Sequence, residues 1–375
     1  MSDAASAQRP SLRLLYGLAA ATIAGAGLRA AAPVLVPVAL ALFLAILCQP
    51  LFVGMLRRRV PLGFAVLITL LVLGLAIALF LVLLLGSIAE VREVGPHYWA
   101  GLRERIAYTA EWWQQKGIMI SDWVPARFRE PEALLNLAGG TLAGALRLLS
   151  EGTIVLLTLF FLLFEVALAP RRIATLPPAV RDRFAHFANV SAELQRYLAI
   201  KTLMAAAIGL AAGLWVAGLG VDFPVLCGLL AFGFHFVPNV GALFAAVPAM
   251  VIAFAEFDAA KALAVGAGYL VLGLVLGSLV EPALMGRRLN LSPLAVFLSL
   301  VIWGWLWGPI GMFLSVPMTM AIKIVLSHSP DWAWTARLLD GVRAVGEATA
   351  ARTEEERAPA SGPEPPAAPA GAGPR

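Results

Sequence analysis

A glutamate, a histidine, two asparagines and a set of prolines and glycines lie in or beside long uncharged stretches of this 375-residue chain, and they are its candidates for chemistry. Glu281 closes an apolar run just before Pro282. A carboxylate there could gate a path or carry a coupling proton, because ionisable groups at membrane depth are functional by default. The plain alternative is a solvated cap beside Arg287 and Arg288. His235 stands three residues before Pro238 and brings an imidazole, a group that titrates near neutrality. It reads either as a proton or solute group or as a packing residue. Asn239, next to Pro238 and near Gly241, could offer a donor and an acceptor to a polyhydroxylated ligand, or could simply serve the turn.

A second group follows in NLSPL. Asn290, Ser292 and Pro293 form a helix start, whose amides would face an anion or oxygen-rich solute or would be capped locally. Trp303, Trp305 and Trp307 alternate around Gly304, just before Gly308, Pro309 and Gly311, and either line a path or pack against neighbours. No GxxxxGK[ST], HExxH or Ser/His/Asp set occurs, so nothing points to ATP use, hydrolysis or an enzyme. The two cysteines, Cys48 and Cys227, sit in separate apolar runs, which supports neither a disulfide, a metal site nor a cofactor.

What must position these residues is a membrane. Hydrophobic residues make up 60% of the chain and charged ones 14%, with a mean hydropathy of +0.84, far from the balance of soluble domains. The net charge of +5 is scattered in short segments between apolar runs, which argues against nucleic-acid binding. Apolar runs at 14–28, 33–55, 61–88, 152–169, 202–221 and 262–280, free of charge except for Glu165, predict about six spans, the first being the shortest.

Two further runs, 223–255 and 291–322, are too long for one span and too short for two. Each breaks in the middle, at Pro238 to Gly241 and at Gly308 to Gly311. Proline removes a backbone donor and glycine accepts turn dihedrals, so both predict hairpins. The basic segments Arg57 to Arg59, Arg171 to Lys201, Arg287 with Arg288, and Lys323 onward all belong in the cytoplasm. A span plus an external hairpin followed by a span plus a cytoplasmic hairpin is an inverted repeat, the arrangement in which transporters set solute sites. Glu165 is expected to pair with Arg171 or Arg172, and Gly209, Gly213, Gly273 and Gly277 to allow close helix packing.

The expected fold class is therefore an all-α polytopic membrane protein with about six spans, two re-entrant hairpins and a small helical extramembrane module. The division reads 1–88 as a three-span region and 89–147 as a periplasmic module of short amphipathic helices. A fourth span and connector fill 148–201, the transport core 202–327 and a cytoplasmic tail 328–375, disordered after about 350. Both termini are expected in the cytoplasm and the protein in a bacterial inner membrane. Its partners would be membrane lipid, a small polar solute and a coupling ion.

The stretch EPALMGRRLNLSPLAVFLSLVIWGWLWGPIGMFLSVPMT, residues 281–319, closely resembles the C-terminal signature of the autoinducer-2 exporter family, and FHFVPNVGALFAAVPA, residues 234–249, resembles a second one. The likeness extends over roughly 12–327. His235 stands where that pattern carries an acidic or amide residue, and Asn239 where it carries an aromatic. The resemblance implies secondary export of a small polar solute such as autoinducer-2, sodium/proton antiport in some members, and a homo-oligomer, described as a pentamer. A scaffold acting through the module is the alternative from another class.

Overall fold

Leu, Val and Ala runs without water to hydrogen-bond their backbone satisfy it within each segment as helices, or between strands in a closed barrel, and no strand occurs among the described residues. The computed structural model describes residues 3–115, 141–238, 241–285 and 291–327. In chain order the helices are α1 (Asp3–Ala30), α2 (Ala32–Arg57), α3 (Leu62–Gln115), α4 (Thr141–Ala174) and α5 (Pro178–Gly218). Then come α6 (Pro224–Phe234), α7 (Gly241–Glu256) and α8 (Ala259–Leu272). A π-helical stretch, Gly273–Val280, joins α8 to α9 (Glu281–Met285), and α10 (Pro293–Ser327) closes the described chain.

Six helical segments are long and apolar enough to cross a membrane: Ala32–Arg57, Leu62–Gly95, Gly152–Ala174, Ala192–Gly218, Ala259–Met285 and Pro293–Lys323. The run at 14–28 is not among them: α1 is a 28-residue helix that carries the polar start of the chain. Alanines fill much of the interior, and many large aliphatic side chains face outward. Ala41, Ala205, Ala212, Ala249 and Ala253 are fully buried, whereas Leu71, Leu75, Val82, Leu210 and Leu279 are mostly exposed. That inversion suits lipid, in which close approach of small residues replaces the hydrophobic drive between helices.

Both long runs fold back. Asp222, just before α6, donates its backbone N–H to Glu256 Oε2 at 3.2 Å, so the chain leaves α7 where it entered α6. Between the arms a tight turn closes with Gly241 N–H to Val237 O at 3.2 Å. In α10 the reversal falls at Gly308, with φ 65° and ψ −147°, a conformation essentially confined to glycine. Trp303 Nε1 donates to Thr319 Oγ1 at 3.1 Å, although an unbroken helix would hold these residues about 24 Å apart. Pro293–Lys323 is therefore two arms, one on each side of Gly308.

Several boundaries fall elsewhere than hydropathy suggests. α3 is one helix of 54 residues that continues past Pro96, so the first part of segment 89–147 extends the span and is no string of short helices. The lines drawn at 88/89, 147/148 and 201/202 all cross helices. Gly209 and Gly213 do allow close packing: a Cβ on Gly209 would lie 2.8 Å from Gly228 O and one on Gly213 3.0 Å from Pro224 O. Gly273 is looser, since a Cβ there would meet only the Ala242 methyl at an ordinary 3.5 Å, and Gly277 faces open space and packs nothing. Glu165 pairs with Arg172 at an exposed position.

Candidate functional site

α5 carries Lys201 well inside its length and α9 begins at Glu281, so both side chains reach the place where the first fold-back turns. Lys201 Nζ lies 2.8 Å from Glu281 Oε1. His235, the first residue past α6, puts Nε2 2.9 Å from Glu281 Oε2, without the alignment of a formed hydrogen bond. All three side chains are at most 11% exposed. A buried ion pair is weak evidence of stability, because desolvation offsets most of its attraction. Held inside an apolar helix bundle, it is evidence of a site.

The local backbone explains how Glu281 gets there. Ahead of it the chain runs as a π-helix over Gly273–Val280, and Ser278 Oγ donates to Gly273 O, five residues back, at 3.4 Å. Such wide turns shift the register of the residues that follow and recur at functional sites. Beside the set a small cavity of 20 Å³ is lined by His235, Ile208, Ala231, Ala245, Tyr269 and Gly273, room for about one water. The hydroxyl of Thr202, next to Lys201, is buried without a hydrogen-bond partner.

Next to His235, Phe236 connects the two fold-backs. Its ring lies 4.5 Å from Phe313 on the second arm of α10, and Phe313 lies 5.2 Å from Phe43 of α2. Phe232 continues the row, 5.6 Å from Phe236 and 5.8 Å from Phe80 of α3. The other tip packs elsewhere: Trp307 Nε1 donates to Leu28 O at 3.3 Å, and the Trp303 and Trp307 rings meet at a tilt of 51° with centroids 4.8 Å apart.

The structure thus joins His235 and Glu281 and adds Lys201, which sequence reasoning had assigned only to the basic connector. Glu281 is no solvated cap, since it is 8% exposed. Pro238 lies in the first turn, Pro282 is exposed behind Glu281, and Gly304, Pro309 and Gly311 belong to the second reversal. Ser292 caps α10 by accepting from Ala295 N–H at 3.1 Å with Pro293 at the first position, which is the local-capping reading. Trp303 and Trp307 are buried packing residues; Trp305 is exposed and stacks under Arg29 at 5.3 Å. Asn239, Asn290, Arg287 and Arg288 lie outside the described residues, as does the tail from 328.

At the roots of the first fold-back, the extension of α3 holds both arms. Tyr98 donates its hydroxyl to Asp222, and Arg105 donates from Nε to Ala255 O at 3.3 Å and from Nη2 to Glu256 O at 3.4 Å. Burial and the Asp222 carboxylate push the Tyr98 phenol up, so it remains a donor. Arg105 here caps the end of α7, as basic side chains do at helix C-termini. Arg105→Ala should therefore cost about 1 kcal/mol, read as a lowered thermal midpoint in detergent; an unchanged midpoint would show that the two bonds contribute nothing.

A model of the AI-2E family transporters matches residues 16–331. The chain belongs to the AI-2E transporter family. It is 36% identical over 330 residues to the AI-2 transport protein TqsA of Escherichia coli K12, covering 88% of this chain and 95% of that protein. It is similar at 33% over 338 residues to a putative transport protein of Haemophilus influenzae, covering 88% and 97%. A third relative, the putative transport protein YhhT of Escherichia coli K12, is 32% identical over 334 residues, covering 88% and 95%. This AI-2E member is accordingly an integral membrane transport protein and not an enzyme.

Proposed function

We propose that this AI-2E transporter is a secondary exporter of a small polar solute, autoinducer-2 or a related signal, across the bacterial inner membrane. The observation that carries the reading is the Lys201–Glu281–His235 set, buried where a helix breaks and turns back. Broken helices at membrane depth occur where protein or a water-filled path satisfies their freed polar groups. Transporters build solute and ion sites at such breaks. The name of the relative TqsA, an AI-2 transport protein matched over 95% of its length, supports autoinducer-2 as the first solute to try.

With Arg57 to Arg59 in the cytoplasm, the C-terminus is cytoplasmic. The first fold-back then dips in from the periplasm and the second from the cytoplasm, as re-entrant hairpins of an inverted repeat. Residues 202–327 form the transport core on a scaffold of the earlier spans, and 89–147 reach into the periplasm. The working form is a homo-oligomer, with the pentamer that the family resemblance implies. The test is counterflow: proteoliposomes preloaded with unlabelled autoinducer-2 should take up the labelled compound above protein-free vesicles at symmetric pH. Uptake equal to that of empty vesicles would remove the reading.

A further inference from the structure

The Glu281 carboxylate has a nitrogen at each oxygen, Lys201 Nζ at 2.8 Å from Oε1 and His235 Nε2 at 2.9 Å from Oε2. Hard cations trade their water for several oxygen ligands. Here both oxygens already face nitrogens, and one of these belongs to a cation tethered to α5. An ammonium held at bonding distance occupies the ground that a sodium ion would need, and it cannot leave the protein.

The charges then select the mobile ion. With a neutral imidazole, Lys201 and Glu281 sum to zero, the state that a buried apolar site favours. A neutral imidazole keeps its N–H on Nε2, beside Oε2; a proton added at Nδ1 raises the sum by one and lets a small rotation complete a charge-assisted bond from Nε2–H to Oε2. The described groups around the set offer no second carboxylate to absorb that charge. α5 adds only the hydroxyls of Tyr197 and Thr202, the turn adds Phe236, the π-helical stretch adds Ser278, exposed, and α8 adds Tyr269, whose hydroxyl donates to Cys227 O at 3.2 Å. The cluster that packs on Tyr197 and Phe236 brings Phe43 from α2 and Leu314, Val316 and Met320 from α10, all apolar. The added charge must therefore be met by rearranging Glu281 between its two partners, and His235 sits on the very turn of the fold-back.

We infer that this transporter couples its solute to protons and not to sodium, with His235 as the proton carrier, Glu281 as its partner and Lys201 as a built-in cation in the place of a sodium ion. The inference rests on the transport reading above. In the step itself, Nδ1 takes a proton from hydronium on one side of the membrane, the N–H bond forming as the hydronium O–H bond breaks, and returns it to water on the other side by the reverse exchange.

Two measurements test it. In proteoliposomes that show autoinducer-2 counterflow, a gradient of about one pH unit should drive up to about tenfold accumulation, the limit for one proton per solute. An equal sodium gradient should add nothing, and His235→Gln should lose the response to the pH gradient. Counterflow without pH-driven accumulation, or accumulation driven by sodium, overturns the coupling and leaves the transport reading standing. No counterflow removes the transport reading and the coupling with it. The second measurement needs no solute: the thermal midpoint of the purified full chain should be the same in sodium chloride and in potassium chloride at equal concentration. A sodium-specific rise, the mark of a bound ion, would overturn the inference.

Discussion

Lys201→Met should cost about 3–5 kcal/mol of stability, the range found when one partner of a buried pair is removed and the other is left charged. Glu281 would keep only His235 at its second oxygen, with 8% of its surface exposed. Glu281→Gln should cost a similar amount, because it strands Lys201 at 8% exposure. The double variant Lys201→Met with Glu281→Gln removes both charges and should recover most of the loss. Coupling of that size between residues 80 apart in sequence is what a double-mutant cycle resolves. Unfolding of each variant in mixed detergent micelles gives the four corners. If the two single losses simply added in the double variant, Lys201 and Glu281 would not act as a pair, and the site would lose its physical basis.

Such coupling is also where sequence reading stopped short. Glu281 and His235 were legible because each stands in or at the end of an uncharged run, so burial of a titratable group follows from hydropathy alone. Lys201 was not, since it ends a stretch that begins at Arg171 and looks like an ordinary cytoplasmic connector. α5 is one helix from Pro178 through the rest of that stretch, and it carries the last cation into the bundle. The available signal was that Lys201 directly abuts the uncharged run 202–221, with no polar residue between. Partner choice remained hidden, because it depends on how α5, the first fold-back and α9 converge. The π-helical stretch has no sequence signature here at all.

The fold-backs were more readable, because their cause is local. Proline and glycine act on the backbone of their own turn, so the breaks at Pro238 to Gly241 and at Gly308 could be placed without knowing what surrounds them. The extension of α3 shows the opposite case. Charges and Pro96 suggested that the helix stops near the membrane surface, yet it continues to Gln115 and meets the roots of the first fold-back through Tyr98 and Arg105. Tertiary contacts there outweigh local propensity.

The reversals yield the other large prediction. A Cβ added at Gly241 would lie 2.0 Å from Phe234 O, and one at Gly311 would lie 2.0 Å from Trp303 O. Both obstacles are main-chain atoms of the facing arm, which cannot rotate away as a flexible side chain can. Gly241→Ala and Gly311→Ala should therefore each cost about 3 kcal/mol, the upper end of overpacking penalties, by prising the two arms apart. Gly277→Ala, which faces open space, is the matched control and should stay within about 0.5 kcal/mol of the parent. Because Gly311 lies opposite Trp303, its substitution should also weaken the bond from Trp303 to Thr319, seen as a red shift of tryptophan emission when that indole gains water. A Gly311→Ala protein as stable as the Gly277→Ala control would mean that the arms of α10 do not approach at Gly308, and that this segment crosses as one helix.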